Sequence, residues 1–365
     1  MEKLLSICIP TYNRAEIVFE CVKNCLKNEY DFLEVVVTDN CSTDTTEEKL
    51  SQIKDSRFKY YKNKENIGYA NLSMCMKNGS GKYCLLLSDE DEIYDIDWKN
   101  LKSFLEVSED ISVFQCEYYD VNGKQLLKGP LKRLLKDQYE TYLFVQKNFG
   151  YAGGSIIKRE VLCNVWEGIR KDNLLWNLYC EILLPMNCAK YGDICKMVYF
   201  KVRRTKRDGK GRLDIVNAWN GGESEPYWSI YSRRKQILCW FEEIGRMDLS
   251  DVCKQKLLCD NRNNGIERVY SYYLILHEEE YLRSSLLQKR LDIVNRDRKK
   301  DLKSWLRLIM LVKKEVDYKW KESMRGMRRN ITINIRYNLV EYKILFMCIL
   351  KIILREKGIK GKYGR

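Results

Sequence analysis

The segment Leu85-Leu86-Leu87-Ser88-Asp89-Glu90-Asp91 places two aspartates, with one residue between them, at the end of an apolar run. Carboxylates are hard oxygen ligands that suit Mg²⁺ or Mn²⁺, ions that also take phosphate oxygens from a substrate. An ion held by Asp89 and Asp91 would neutralise a departing diphosphate. An acidic run by itself is more often a solvated turn. Here the strand-end position and two further polar clusters favour the metal site.

The second cluster is Thr38-Asp39-Asn40-Cys41-Ser42-Thr43-Asp44-Thr45. Asp39 leaves an apolar run, where it could accept from a base imide or ring N–H, or simply build the turn. Ser42, Thr43 and Asp44 are good helix caps, and capping is the job expected of Asp44. The third cluster is Asn66-Ile67-Gly68-Tyr69-Ala70-Asn71. Gly68 permits a tight turn into a helix whose N-terminus could face an anion, although an ordinary strand–helix loop would look the same.

The elements that must position these clusters follow from the apolar pattern. Strands are predicted over Leu4–Ile9, ended by Pro10, and over Leu33–Thr38, Phe58–Tyr61, Tyr83–Leu87, Ile111–Cys116 and Ile194–Phe200. Amphipathic helices are predicted over Ala15–Leu26, Thr45–Ile53, Tyr69–Met76 and Asp97–Leu105. Near-continuous apolar strands alternating with helices predict an α/β fold with a mainly parallel, buried sheet. Ligands of such sheets bind outside the carboxyl ends of the strands, and the polar clusters follow the first, second and fourth strands. The Gly-x-Gly-x-x-Gly of a dinucleotide site is absent after the first strand, which disfavours such a cofactor. From Arg203 to Arg212 a charged, Gly-containing stretch predicts a mobile loop, and helices with charged faces dominate 236–325.

Composition is that of a globular chain: 365 residues, 45% hydrophobic, with 4 Pro. The net charge of +14 is uneven. Residues 1–250 balance 37 basic against 37 acidic side chains, whereas 251–365 carry 28 against 14. Such a basic region can meet nucleic acid or an anionic membrane. His277 is the sole histidine, which excludes a histidine-rich metal site, and none of the 15 cysteines forms paired C-x-x-C spacing. Many cysteines sit in apolar runs as small hydrophobes, which suggests a reducing cytosol. The opening MEKLLSICIPTYNR lacks the pattern of a secretory leader.

Taken together, the clusters resemble the inverting family-2 glycosyltransferases of the GT-A fold. Ser6-Ile7-Cys8-Ile9-Pro10-Thr11-Tyr12-Asn13-Arg14 resembles that family's opening strand and loop, and Asp39-Asn40-Cys41-Ser42-Thr43-Asp44 its Asp-Asn-x-Ser-x-Asp element. Asn66-x-Gly68 with Asn71 resembles its third block, and Asp89-Glu90-Asp91 its Asp-x-Asp metal motif. Many relatives carry an Arg where this chain has Ala70. Gly150-Tyr151-Ala152-Gly153-Gly154-Ser155 resembles the family's Gly-Gly segment near the donor sugar; a plain Gly turn is the alternative. The resemblance implies a nucleotide-sugar donor, Mn²⁺ or Mg²⁺, and inversion at the anomeric carbon. Thr11 and Asp39 would contact the nucleoside, and Asp89 and Asp91 the diphosphate and metal. Pro10, Tyr12, Arg14, Asn66, Asn71 and Gly153 complete the implied donor site.

The family's catalytic base is a carboxylate past the Gly-Gly segment. Glu181 lies eleven residues before Gly192 and shares a helical face with Leu174 and Leu178; Asp172 is the competitor. Glu181 could equally be a buried structural residue paired with an Arg. The chain is thus expected to comprise a catalytic domain over 1–205, a helical region over 206–330 that could meet the acceptor, and a basic tail over 331–365. In the tail, Ile344–Leu350 is apolar but far short of the ~20 residues that span a bilayer. Basic residues from Arg355 to Arg365 suit it to the interface of an anionic membrane; packing on the catalytic domain or on a second subunit is the alternative. The expectation is a cytoplasmic, peripherally membrane-bound glycosyltransferase of bacterial polysaccharide or glycolipid assembly, with a glycan or lipid-linked acceptor. Two rivals stand beside it: a nucleotidyltransferase, and a basic nucleic-acid-binding protein, which the neutral front disfavours.

Overall fold

The computed structural model describes residues 3–68, 70–120, 122–127, 139–140, 142, 145, 153–167, 183–204, 229–277, 291–327 and 331–356. The chain divides into two compact units, Met1–Trp219 and Asn220–Arg365.

The first unit is built on β1 (Leu5–Thr11), β2 (Leu33–Asp39), β3 (Phe58–Lys62), β4 (Tyr83–Leu86), β5 (Asp91–Tyr94), β6 (Ile111–Tyr119), β7 (Gln125–Leu127), β8 (Ser155–Lys158) and β9 (Asp193–Arg204). Its helices are α1 (Ala15–Leu26), α2 (Thr46–Leu50), α3 (Ala70–Asn78), α4 (Trp98–Val107) and α5 (Arg159–Glu167). Among the described residues the strands form one mixed sheet in the order β3-β2-β1-β4-β8-β6-β9-β5, with β7 on β6. The parallel run β3-β2-β1-β4 is the α/β core, as the continuous apolar strands implied. Beyond it β8 runs antiparallel to both β4 and β6, and β6 and β9 are parallel. Val18, Cys21, Val22 and Cys25 of α1 pack against Leu5, Ile7, Ile9, Val35 and Val37 in a fully buried core. None of the described cysteines is in a disulfide.

Several expectations are corrected. β1 continues through Pro10 to Thr11, with Pro10 in register opposite Thr38. β4 pairs with β1 only as far as Cys8, so that edge is open by Pro10 and its missing N–H costs nothing there. The acidic segment does not stay a loop: Asp91 opens β5 and pairs with Arg204 of β9. The stretch expected as a loop from Arg203 begins inside that same strand, where Arg203 Nε donates to Glu92 at 2.6 Å. Residues 205–212 of it lie outside the described residues.

The second unit is helical: α6 (Ile230–Arg246), α7 (Asp251–His277), α8 (Leu291–Arg298), α9 (Leu302–Ser323) and α10 (Ile331–Glu356). Ser229 and Asp301 cap α6 and α9 by accepting from Ser232 N and Ser304 N. α7 carries Gly265 mid-helix because a Cβ there would press on Val316 and Ile237 at 3.3 and 3.4 Å, so α6 and α9 can approach closely. The segment expected as a separate tail is mostly α10, which packs on α7: Glu341 and Ile352 are fully buried, and Arg355 donates to His277 O at 2.8 Å. Among the described residues no helix is long and apolar enough to cross a membrane.

Candidate active site

The parallel register sets Thr11 beside Asp39 at the carboxyl ends of β1 and β2. Asp89 follows β4, the other neighbour of β1. Thr11 Oγ1 donates to Asp89 Oδ2 at 2.8 Å, so residues far apart in sequence meet at one sheet edge. Arg14, at the start of α1, donates from one Nη to Asp89 Oδ1 at 2.8 Å and pairs with Glu90 at 2.9 Å. Burial works against the Arg14 charge, but Asp89 and Glu90 outweigh it and hold its pKa above the ordinary value. Burial also pushes the Asp89 carboxyl up, against the opposing pull of Arg14 and Thr11.

In a solvated turn Asp91 would lie open to water. It is 2% exposed, and Asp89 is 4% exposed. Tyr118 of β6 donates to Asp91 Oδ1 at 2.9 Å. Gly153 abuts the same carboxylate, and a Cβ at that position would run into Asp91 Oδ2. Gly154, at φ +94°, then ties the edge together: its N–H donates to Leu86 O and its carbonyl accepts from Cys116 N, both at 2.8 Å. The Gly-Gly pair thus lies against the acidic segment, and its small size is what allows that approach.

Asp39 is fully buried, and its oxygens have protein partners. Oδ1 accepts from Ser42 N at 2.9 Å and Ser42 Oγ at 2.5 Å, and Oδ2 accepts from Tyr60 OH at 2.7 Å. Burial, and then Asp39, raise the Tyr60 phenol well above its usual range, so Tyr60 stays a donor. Asp44 accepts from Thr46 N at 3.0 Å and lies one residue before Thr45, which holds the N-cap position of α2. The third cluster forms a chain of amides. Asn40 Nδ2 donates to Asn66 Oδ1 at 2.8 Å, Asn63 Nδ2 bridges Asn40 and Asn71, and Asn71 Nδ2 donates to Thr38 O at 2.9 Å. Asn66 is exposed at the mouth of this loop, whereas Asn71 is buried within it. Pro10 and Tyr12 are half-buried at the same edge.

The structure therefore brings Thr11, Arg14 and Asp89 together, with Asp39 one strand away and Asp91, two residues past Asp89, against Tyr118 and Gly153. Glu181 and Asp172 lie outside the described residues. Among the described residues no three His, Cys or carboxylate side chains converge on one point. The acidic segment nonetheless fits a hard cation: its donors are all oxygen, and Mg²⁺ characteristically takes one or two carboxylates and completes its shell with phosphate and water. Sequence reasoning missed Tyr60 and Tyr118. Phe114, Cys116 and Tyr118 all face the same core, so extending the period-two pattern past Cys116 would have found Tyr118.

Residues 6–166 match the family model described as Glycosyl transferase family 2. Among curated proteins, the chain is 25% identical over 202 residues to the Escherichia coli UDP-Glc:alpha-D-GlcNAc-diphosphoundecaprenol beta-1,3-glucosyltransferase WfgD, covering 52% of this chain and 76% of that protein. It is 28% identical over 208 residues to the abequosyltransferase RfbV of Salmonella typhimurium, covering 50% of this chain and 60% of that protein. Among solved structures, S. aureus TarS 1-349 in complex with UDP-GlcNAc superposes with a TM-score of 0.57 over 88% of this chain and 91% of that chain, at 16% identity. At that identity the superposition speaks for a shared fold, a mixed α/β sheet followed by helices.

Proposed function

We propose that the protein transfers a sugar from a nucleotide-diphosphate sugar to an acceptor hydroxyl, in bacterial cell-surface polysaccharide or glycolipid synthesis. The observation that carries this is the meeting of Thr11, Arg14 and Asp89 at the carboxyl ends of β1 and β4, inside the segment that matches the family-2 glycosyltransferase model. The relatives named for sugar transfer, one of them to a diphosphoundecaprenol-linked sugar, support a lipid-linked acceptor.

In this mechanism the end of β2 receives the nucleoside, with Asp39 and Ser42 holding the turn. Asp91, with Asp89 beside it, faces the diphosphate and would hold Mn²⁺ or Mg²⁺ there. When bound, the cation offsets the charge that develops on the leaving diphosphate. Arg14 orients Asp89 and opposes the upward push that burial gives its carboxyl. Gly153, having no side chain, leaves room for the Asp91 carboxylate where it lies. A carboxylate takes the acceptor proton, and the acceptor oxygen attacks the anomeric carbon from the face opposite the nucleotide, with inversion; Glu181 is our assignment for that base, with Asp172 as the competitor. Glu181→Gln should keep donor binding and lose turnover.

The test is a panel of nucleotide sugars incubated with the protein and Mn²⁺, with release of nucleoside diphosphate as the readout. Turnover of one donor, lost in Asp91→Asn and on chelation, is the expected result. Release of pyrophosphate instead would point to nucleotidyl transfer. A protein that neither binds nor cleaves any member of the panel is no glycosyltransferase of this kind.

A further inference from the structure

The last helix of the second unit has two faces with different surroundings. Inward, the fully buried Glu341 pairs with Arg262 of α7 at 2.7 Å and accepts from Lys313 of α9 at 3.0 Å, and Cys348 and Ile352 are buried on the same side. Arg262 Nη1 also donates to Asn338 at 2.7 Å. This half of α10 is committed to its own unit. Outward, Leu339, Tyr342 and Phe346 are 68%, 63% and 64% exposed. Their spacing of three and four residues stacks them on one stripe. Ile349 and Ile353 continue that stripe and are half-buried. From Leu339 to Ile353 the stripe runs about 21 Å at the α-helical rise. Arg336 and Lys343 are exposed beside it.

An exposed apolar stripe of this length on a packed helix needs an occupant. Charge decides among them. The chain's whole excess of positive charge lies in residues 251–365, and four basic side chains against no acidic one follow Glu356. A second copy would bring the same excess against itself. An anionic bilayer surface offers the opposite charge together with an apolar layer at shallow depth.

We propose that α10, while docked on α7, lays its Leu339–Tyr342–Phe346 stripe into the interface of an anionic lipid bilayer, with Arg336 and Lys343 at the headgroups. The helix does not leave its unit to do so. The apolar run Ile344–Leu350 is shared between the two faces, with Cys348 turned inward and Phe346 outward. Lipid contact therefore depends on the stripe and not on the run as a whole.

The experiment uses the full chain and vesicles of phosphatidylcholine with or without phosphatidylglycerol, at low and high salt. The protein should co-sediment with the phosphatidylglycerol vesicles at low salt and be released by high salt. Leu339→Ser/Tyr342→Ser/Phe346→Ser should lower that partition about tenfold or more, with thermal melting and donor cleavage unchanged; Phe346→Ser alone repeats the test should the triple variant melt early. Charge reversal at Arg336 and Lys343 should weaken anionic binding alone. Wild-type protein that ignores the vesicles, or variants that bind them equally, overturn the proposal. So does a dimer in vesicle-free buffer that the triple variant dissolves, which would assign the stripe to a second copy. Vesicle binding needs no donor, so its failure would leave the sugar-transfer proposal intact, and the reverse.

Discussion

At the residue scale the acidic segment is more tightly built than its sequence suggests. Asp91 sits between Tyr118 and Gly153, so truncation to Ala would remove a packed side chain as well as a charge. Asp91→Asn is the cleaner change, and should abolish metal-dependent turnover while the melting temperature shifts little. Gly153→Ala should do comparable damage from the other side, because its methyl group must displace the carboxylate; loss of Mn²⁺ affinity in titrations is the expected readout, and unchanged affinity would remove Gly153 from the site. Asp39 is a different case. Ser42 and Tyr60 already occupy its oxygens, so Asp39→Ala should cost stability as well as nucleotide affinity. Hydrogen bonds to a charged group are worth about 1.5–3 kcal/mol each. Urea unfolding should show a loss of about that size, and calorimetry with a free nucleoside diphosphate measures the remainder. The positions of Thr11, Asp39 and Asp89 at strand ends were legible because the apolar runs stop there. The partner of Asp39 was not, since Tyr60 comes from a neighbouring strand whose register no local pattern fixes.

At the scale of elements, Glu34 clamps the parallel sheet. It lies fully buried on β2, accepts from Ser6 Oγ of β1 at 2.6 Å and Ser80 N at 2.6 Å, and pairs with Lys59 of β3 at 2.6 Å. Burial disfavours its charge, but Lys59, Ser6 and Ser80 outweigh this and hold its pKa below the ordinary Glu range. The unfolded chain therefore takes up the proton first as pH falls. The stabilisation is whole above the ordinary Glu pKa and fades as pH drops through the lowered native value. Glu34→Gln should be destabilising at neutral pH and nearly silent in acid, which denaturant melts across that window can check; an equal loss at both ends would mean that shape, not charge, matters there. The same strand shows what a sequence can reveal. β1, β2 and β4 were plain because their apolar runs are buried on both faces. β5, β7 and β8 were missed because these short strands carry too little pattern, and antiparallel pairing defines them, with distant partners for β5 and β8. Gln125–Leu127 and Asp91–Tyr94 look like loop until β6 and β9 are beside them.

At the scale of the whole molecule, charge and packing divide the chain differently. The sequence predicts a basic tail over 331–365, apart from the helical region. The structure instead makes α10 part of the helical unit, and Glu341 is what ties it there. Ending the chain at Asn338 would remove Glu341 and leave Arg262 and Lys313 facing each other in a buried place. Arg262 would keep Asp317 at 2.8 Å and its stacking on Trp320 at 4.5 Å, so part of its charge stays compensated. Removing one partner of a buried pair typically costs about 3–5 kcal/mol. Both the truncation and Glu341→Leu should therefore loosen α7 and α9 by an amount of that order. Hydrogen exchange can localise the effect: amides of Asp251–His277 should lose protection, while those of β1, β2 and β4 keep theirs. Protection that falls equally in the sheet would mean that the two units melt as one. Protection unchanged in α7 would mean that Asp317 alone suffices for Arg262 and Lys313, and that the helix is a tail after all.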